Sequence, residues 1–267
     1  LTANGGPDDQ VSFLPDGSAF IYHLRGWGGA NGCLGLMPVG RSRVSRVLCP
    51  QGPDAPGTAY SRPAVSPTGR LAFILSRQTP SYNALVTAPL ADPRDTVPAT
   101  LIPFTTLADH VTHFDVQDLA WLRGDTLAVL ADGTVYLAAP GQLARDWMPV
   151  PLPGSAGGIG SNPDGSVLYA QIGRTVAAWN PGSGMLPDVF TFDAVPIGLV
   201  QVGRHDLVAM TPGGLIRVDR SDGSISPIGT YGLVILETAL AWDGSDLIVS
   251  AQDTAGPITT DLYRLRW

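Results

Sequence analysis

SRPAVSPTGRLAFIL, residues Ser61 to Leu75, sets a short apolar run, a Ser-Pro-Thr-Gly turn and a second apolar run in direct succession. Pro pre-sets one backbone angle of a tight turn, and Gly supplies the left-handed one. The flanking runs then read as two antiparallel strands. The same order recurs at QVSFLPDGSAFIYH (Gln10 to His23) and at GIGSNPDGSVLYAQ (Gly158 to Gln171).

Working outward, the turn glycines Gly17, Gly69, Gly124, Gly165, Gly203 and Gly244 recur at intervals of 38 to 55 residues. Each lies between two short apolar runs, and a third run comes next: CLGLMPV, NALVTAPL, TVYLAA, TVAAW, LIRVD and DLYRLRW. Most units add a fourth, as in RVSRVLC, TVPATLI, RDWMPVPL, MLPDVFTF and SISPIG. Six units of about 45 residues with four strands each have the repeat length of a β-propeller. Continuous apolar runs such as LAFIL fit sheets covered on both faces by their neighbours. In a two-sheet sandwich, six copies of one turn grammar would be coincidence.

The expected fold is therefore all-β: a six-bladed β-propeller of four-stranded antiparallel blades, one domain over residues 1–267. The blades fall at roughly 10–50, 60–103, 116–152, 157–192, 195–229 and 237–267. The sixth unit stops at its third strand, so its outer edge needs a partner. The N-terminal segment Leu1 to Gly6 is the candidate, with a three-stranded last blade or an outer strand lost before Leu1 as alternatives.

Composition narrows the function. Net charge is −7, and RSRVSR (Arg41 to Arg46) is too short a basic cluster to neutralise a phosphate backbone, so nucleic acid is not an expected partner. All 16 basic residues are Arg, which removes lysine Schiff-base chemistry. Glu237 is the single Glu, so carboxylate chemistry would run on Asp. No apolar run reaches the ~18 residues of a membrane span. The chain opens on Leu1 without an apolar signal, as a processed form would, and an anchor before Leu1 fits that reading.

The two cysteines lie in NGCLGLMPVGRSRVSRVLCP, which reads as a hairpin around Gly40 to Ser42. With Arg41 at the turn centre, Cys33 faces Cys49, Leu34 faces Leu48 and Leu36 faces Arg46. Opposed residues approach to ~4.5 Å at Cα, within disulfide reach. Two buried thiols are the alternative. The expectation is a Cys33–Cys49 disulfide and hence an oxidising compartment, the periplasm or cell surface.

PAVSPTGRLAFI, SFLPDGSAFIY and SNPDGSVLYA resemble the PD40 (WD40-like) repeat of TolB-like six-bladed propellers, in which a Ser-Pro-Asp-Gly turn precedes an apolar strand. DLYRLRW and GLIRVDRSDG are similar to that family's third strand and following turn. The match is close in units 1, 2 and 4. In units 3 and 5, RGD and GRH stand where Pro-Asp-Gly would be. The resemblance implies a bacterial, usually periplasmic, propeller that binds protein partners.

Long connections concentrate on one face: RGWGGANG (Arg25 to Gly32), PQGPDAPGTAYS (Pro50 to Ser61), RQTPSYN (Arg77 to Asn83), PFTTLADHVTHFD (Pro103 to Asp115) and QDTAGPITT (Gln252 to Thr260). Long loops on a rigid scaffold often carry function. Their candidate partner-binding anchors are Trp27, Tyr60, Tyr82, His110, His113 and Phe114. His110 and His113 have metal-ligand spacing but sit in a loop, where two solvated histidines are the simpler reading. The adhesion-like RGD of Arg123 to Asp125 occupies a turn position and reads as turn chemistry.

Neither a G-x-S-x-G elbow nor an H-E-x-x-H helix is present, and no catalytic residue is assigned. The expected function is non-catalytic: an extracytoplasmic protein-binding or scaffold subunit of an envelope or membrane-associated complex, without a cofactor. One alternative is a calcium-dependent, lactonase-like hydrolase with Glu237, Asn162 and Asp118 as channel ligands. Another is a glycan or small-ligand module.

Overall fold

The computed structural model describes residues 8–25, 32–39, 46–50, 55–78, 81–89, 102–106, 116–139, 142, 146–196, 198–202, 205–230, 232–242, 246–253 and 261–266. It is all-β, with six separate antiparallel sheets. The first joins β1 (Asp8–Phe13), β2 (Ala19–Leu24), β3 (Cys33–Pro38) and β4 (Arg46–Leu48). The second joins β5 (Thr58–Val65), β6 (Arg70–Gln78), β7 (Ser81–Pro89) and β8 (Ile102–Thr106). The third joins β9 (Val116–Leu122), β10 (Thr126–Ala131), β11 (Thr134–Ala138) and β12 (Met148–Pro149). The fourth joins β13 (Gly158–Ser161), β14 (Leu168–Ile172), β15 (Thr175–Asn180) and β16 (Gly184–Thr191). The fifth joins β17 (Gly198–Val202), β18 (Asp206–Thr211), β19 (Gly214–Asp219) and β20 (Ile225–Ile228). The sixth joins β21 (Leu233–Trp242), β22 (Asp246–Asp253) and β23 (Asp261–Arg266), three strands among the described residues. The proposed closing segment, Leu1 to Gly6, lies outside them.

The core is distributed over six seams, one per pair of neighbouring blades. Blades 2 and 3 pack Ile74 and Leu85 against Trp121 and Leu127. Blades 4 and 5 pack Tyr169 and Val176 against Leu207 and Val218. The ring closes in the same way: Phe20, Tyr22 and Met37 of blade 1 meet Ile248 and Leu262 of blade 6. Face-to-face burial of apolar side chains therefore joins the ends of the ring.

The turn grammar has a physical basis. In blade 4, Asp164 accepts hydrogen bonds from the Ser166 amide at 3.0 Å and its hydroxyl at 2.7 Å, so the side chain itself forms the turn. In blade 1, Asp16 does the same for Ser18, at 3.0 and 2.6 Å. Blade 3 uses RGD instead, as a short 3-10 turn at Arg123–Asp125. Its charges join neighbours: Arg123 pairs with Asp164 of blade 4, while Asp125 accepts from Thr68 and lies 3.7 Å from Arg70 of blade 2.

β3 and β4 adopt the expected register, Leu34 opposite Leu48 and Leu36 opposite Arg46. Cys33 and Cys49 form a disulfide with Cα atoms 4.5 Å apart. Three boundaries differ from expectation. β5 starts at Thr58, within the expected connection Pro50 to Ser61, so Pro63 lies inside the inner strand. β8 is Ile102–Thr106, starting on the last residue of the TVPATLI run expected to form it. RQTPSYN is no long loop: Arg77 pairs with Tyr82 and Gln78 with Ser81, so two residues separate β6 from β7.

Candidate functional site

Strands β1, β5, β9, β13 and β17 each form the edge of their sheet and together line a central channel of about 770 Å³. They run in one direction, so their starts share one end. The connections 25–32, 49–57, 107–115 and 254–260 leave from that same end. The other end carries the Asp-Gly turns.

The inner strands are irregular in four consecutive blades. β21 breaks register between Ile235 and Leu240, β1 between Asp9 and Ser12, β5 between Ser61 and Ala64, and β9 between Val116 and Asp118. β13 and β17 are regular. A β-bulge sharpens the twist and re-aims a side chain. In β1, β5 and β9 the channel lining begins at the bulge, with Gln10, Arg62 and Gln117, so the bulges form the mouth.

Two mouth residues have backbones that non-glycine residues avoid: Gln10 at φ +53° and Arg62 at φ +52°. Such strain persists only where its surroundings enforce it. Here Gln10 Oε1 accepts the Arg62 amide at 2.7 Å, and Ser12 Oγ accepts the Val65 amide at 2.9 Å. Side chains of blade 1 thus satisfy main-chain donors on the exposed edge of blade 2. Asp118 repeats the device between blades 3 and 4. Its Oδ1 accepts the Leu119 amide at 2.9 Å and its Oδ2 accepts the Ile159 amide at 3.1 Å. Burial raises the pKa of Asp118, opposed by the nearby Arg62 charge and these two amides.

The structure rearranges the expected sites. Tyr60 lies within β5, 8% exposed, its ring 5.0 Å from Phe73, so it is a core residue and cannot serve as a surface anchor. Its amide donates to Gly32 O at 3.0 Å, which fastens the start of β5 to blade 1. Tyr82 is placed in β7. Trp27, His110, His113 and Phe114 lie outside the described residues.

Two of the calcium candidates, Asp118 and Asn162, lie apart. Asp118 is at the mouth, beside Ile159. Asn162 comes just after β13, three residues further, or about 10 Å at strand rise. Asn162 is also committed to the far turn, accepting the Val167 amide and donating to Ser166 Oγ, both at 2.8 Å. The side chain of Glu237 lies outside the description. Among the described residues no three His, Cys, Asp or Glu side chains converge on a metal-sized site.

Sequence reading missed Gln10, Arg62 and Gln117. One signal was available: Pro63 inside an inner strand marks a bulge, because Pro cannot donate to a ladder.

The chain's likenesses lie among solved propellers. A Bacteroides thetaiotaomicron protein of unknown function superposes with a TM-score of 0.61 at 12% identity, over 92% of this chain and 68% of that one. The Cps50 (Swd1) β-propeller domain of Myceliophteria thermophila gives 0.59 at 12%, over 92% and 80%. YCF48, solved bound to D1 peptide, gives 0.56 at 13%, over 96% and 76%. At such identities the likeness shows the propeller fold alone. No protein-family model matches the sequence, and no curated protein matches it.

Proposed function

We propose that this chain is a non-catalytic propeller of TolB-like type that binds a protein partner at the bulged mouth of its channel. Its place in this reading is outside the cytoplasm, in an envelope or membrane-associated assembly. The observation that carries the reading is the run of three bulged inner strands, β1, β5 and β9, whose bulges begin the channel lining at the end from which the long connections leave. Bulges cluster where a sheet edge is shaped for a ligand. The Cys33–Cys49 disulfide supports an oxidising compartment. YCF48, of similar shape, was solved with a peptide bound.

The lining favours binding over chemistry. Arg62 and Asp118 are the only charged residues among the described lining. Asp118 has both oxygens on main-chain amides, and the Ser12 hydroxyl accepts from Val65. Among these residues no base faces a nucleophile in the arrangement that acyl transfer requires.

Tagged protein purified with chemical crosslinking from native envelopes tests this. Gly158 lines the mouth, and a Cβ there would meet only Gln171 Oε1, at 3.8 Å. Gly158→Tyr should plug the channel and lose the partner. Met148→Arg, on an outer strand at 63% exposure, should keep it. Equal recovery by both variants, or no specific crosslinked protein with the wild type, would overturn the reading.

A further inference from the structure

We infer that Arg62 makes the mouth a receptor for a carboxylate carried on an extended peptide, which rests on the channel-binding reading above and gives it a chemistry. Arg62 sits at φ +52° with its amide donating to Gln10 Oε1 at 2.7 Å, beside Pro63 within β5. Its charge lies near Asp118, but its guanidinium donates no hydrogen bond to the described residues. The nearest acid in the lining, Asp118, has each oxygen committed to a main-chain amide. The planar fork of Arg62 therefore remains for an outside acceptor, and a carboxylate matches it with two parallel bonds. Gln117 adds a second polar group: its Oε1 accepts the Gly133 amide at 3.2 Å, and its NH2 group can donate.

The occupant is a peptide because the walls are sheet edges. β1, β5, β9, β13 and β17 each have a single strand partner, so one edge of each faces the channel, with the Arg62, Val65 and Ile159 amides on those edges already taken by neighbouring side chains. An extended chain can use such edges through its main chain while one side chain is read by a specific group. The 770 Å³ channel has the capacity of a ligand site, which typically spans about 300–1,000 Å³. The net charge of −7 repels anions in general, so binding of an acidic peptide would have to be local to Arg62.

Fluorescence anisotropy with fluorescein-labelled (Gly-Glu)4 provides the test, with (Gly-Gln)4 and free glutarate as competitors. The acidic peptide should bind saturably, the Gln peptide should not compete, and glutarate should compete far more weakly than unlabelled acidic peptide. Arg62→Gly accepts the left-handed backbone without strain but also removes the charge near Asp118, so its fold is checked by circular dichroism, and the folded variant should bind about tenfold or more weakly. Arg62→Lys keeps the charge without the fork and should fall between. Undiminished binding to Arg62→Gly, or no binding to the wild type at millimolar peptide, overturns the inference. Glutarate competing as well as the peptide would identify a small-molecule carboxylate site and overturn the peptide assignment. In the envelope crosslinking experiment, a partner kept by Arg62→Gly but lost by Gly158→Tyr would retain mouth binding and reject carboxylate recognition.

Discussion

At Gly165 the fold has room for a hydrogen atom and nothing more. Its φ is +67°, and an added Cβ would lie 2.7 Å from the Arg123 amide nitrogen and 2.8 Å from the Leu122 carbonyl carbon. Both neighbours are backbone of the preceding blade and cannot rotate away. Gly165→Ala should cost about 2–4 kcal/mol from left-handed strain and overpacking together, read as a lower midpoint in urea. The Pro-Asp-Gly motif made this glycine legible as a turn residue. Its role against blade 3 was not, since Arg123 is 42 positions earlier and only the ring brings the two together. Asp118 is legible as an acid near an inner-strand end, with calcium ligation only an alternative reading; its partners are amides at Leu119 and Ile159. Its folded pKa is raised, so its contribution to stability is greatest below the unfolded value of 3.8 and is lost as pH rises through the higher folded value. Asp118→Asn removes that titration. The Tm difference between wild type and Asp118→Asn should therefore move against the wild type as pH is raised from about 4; a pH-independent difference would contradict the burial argument.

Among the elements, the β3–β4 hairpin was read from its residues with the correct register, because opposed positions in a hairpin keep a constant sum and the turn centre was visible at Arg41. The disulfide closes a loop with a sequence separation of 16, for which chain-entropy arguments give about 3 kcal/mol. Replacing both cysteines with Ser should lower stability by roughly that amount, and reductant should lower the wild-type Tm while leaving the double variant unchanged. β5 was harder to read. Its first residues run through Thr58 and Tyr60, which pair with Arg77 and Leu75 of β6, and Ala59 bridges to Gly32. Local composition around Pro56 and Gly57 spells a loop; contacts with β6 and with blade 1 convert the residues from Thr58 onward into sheet. The bulges share this origin. Register breaks arise from how a strand meets its neighbours, and only Pro63 left a trace of one in the sequence.

For the molecule as a whole, the six seams are equivalent in kind, and the one between blades 6 and 1 is made of ordinary core residues. Ile248 is 1% exposed in that seam. Ile248→Ala should cost about 2–4 kcal/mol and still unfold in a single transition, because opening one seam exposes two blade faces at once. A separate early transition confined to blade 6 would show that the seam is only loosely held. The repeat, its period and the two ends of the channel could all be read from turn positions and loop lengths. The face packing between blades 6 and 1 was not legible, since Ile248 and Leu262 are far in sequence from Phe20 and Met37 and only the ring brings them together. The end away from the mouth offers one practical opening. The chain's two cysteines are bonded to each other, so an added thiol would be the only reactive one. Ser183 is exposed in the tight turn between β15 and β16, with its amide held by Asn180 at 3.1 Å. Ser183→Cys would let the protein be tethered to a sensor chip in one orientation, with its entrance facing the flowing analyte.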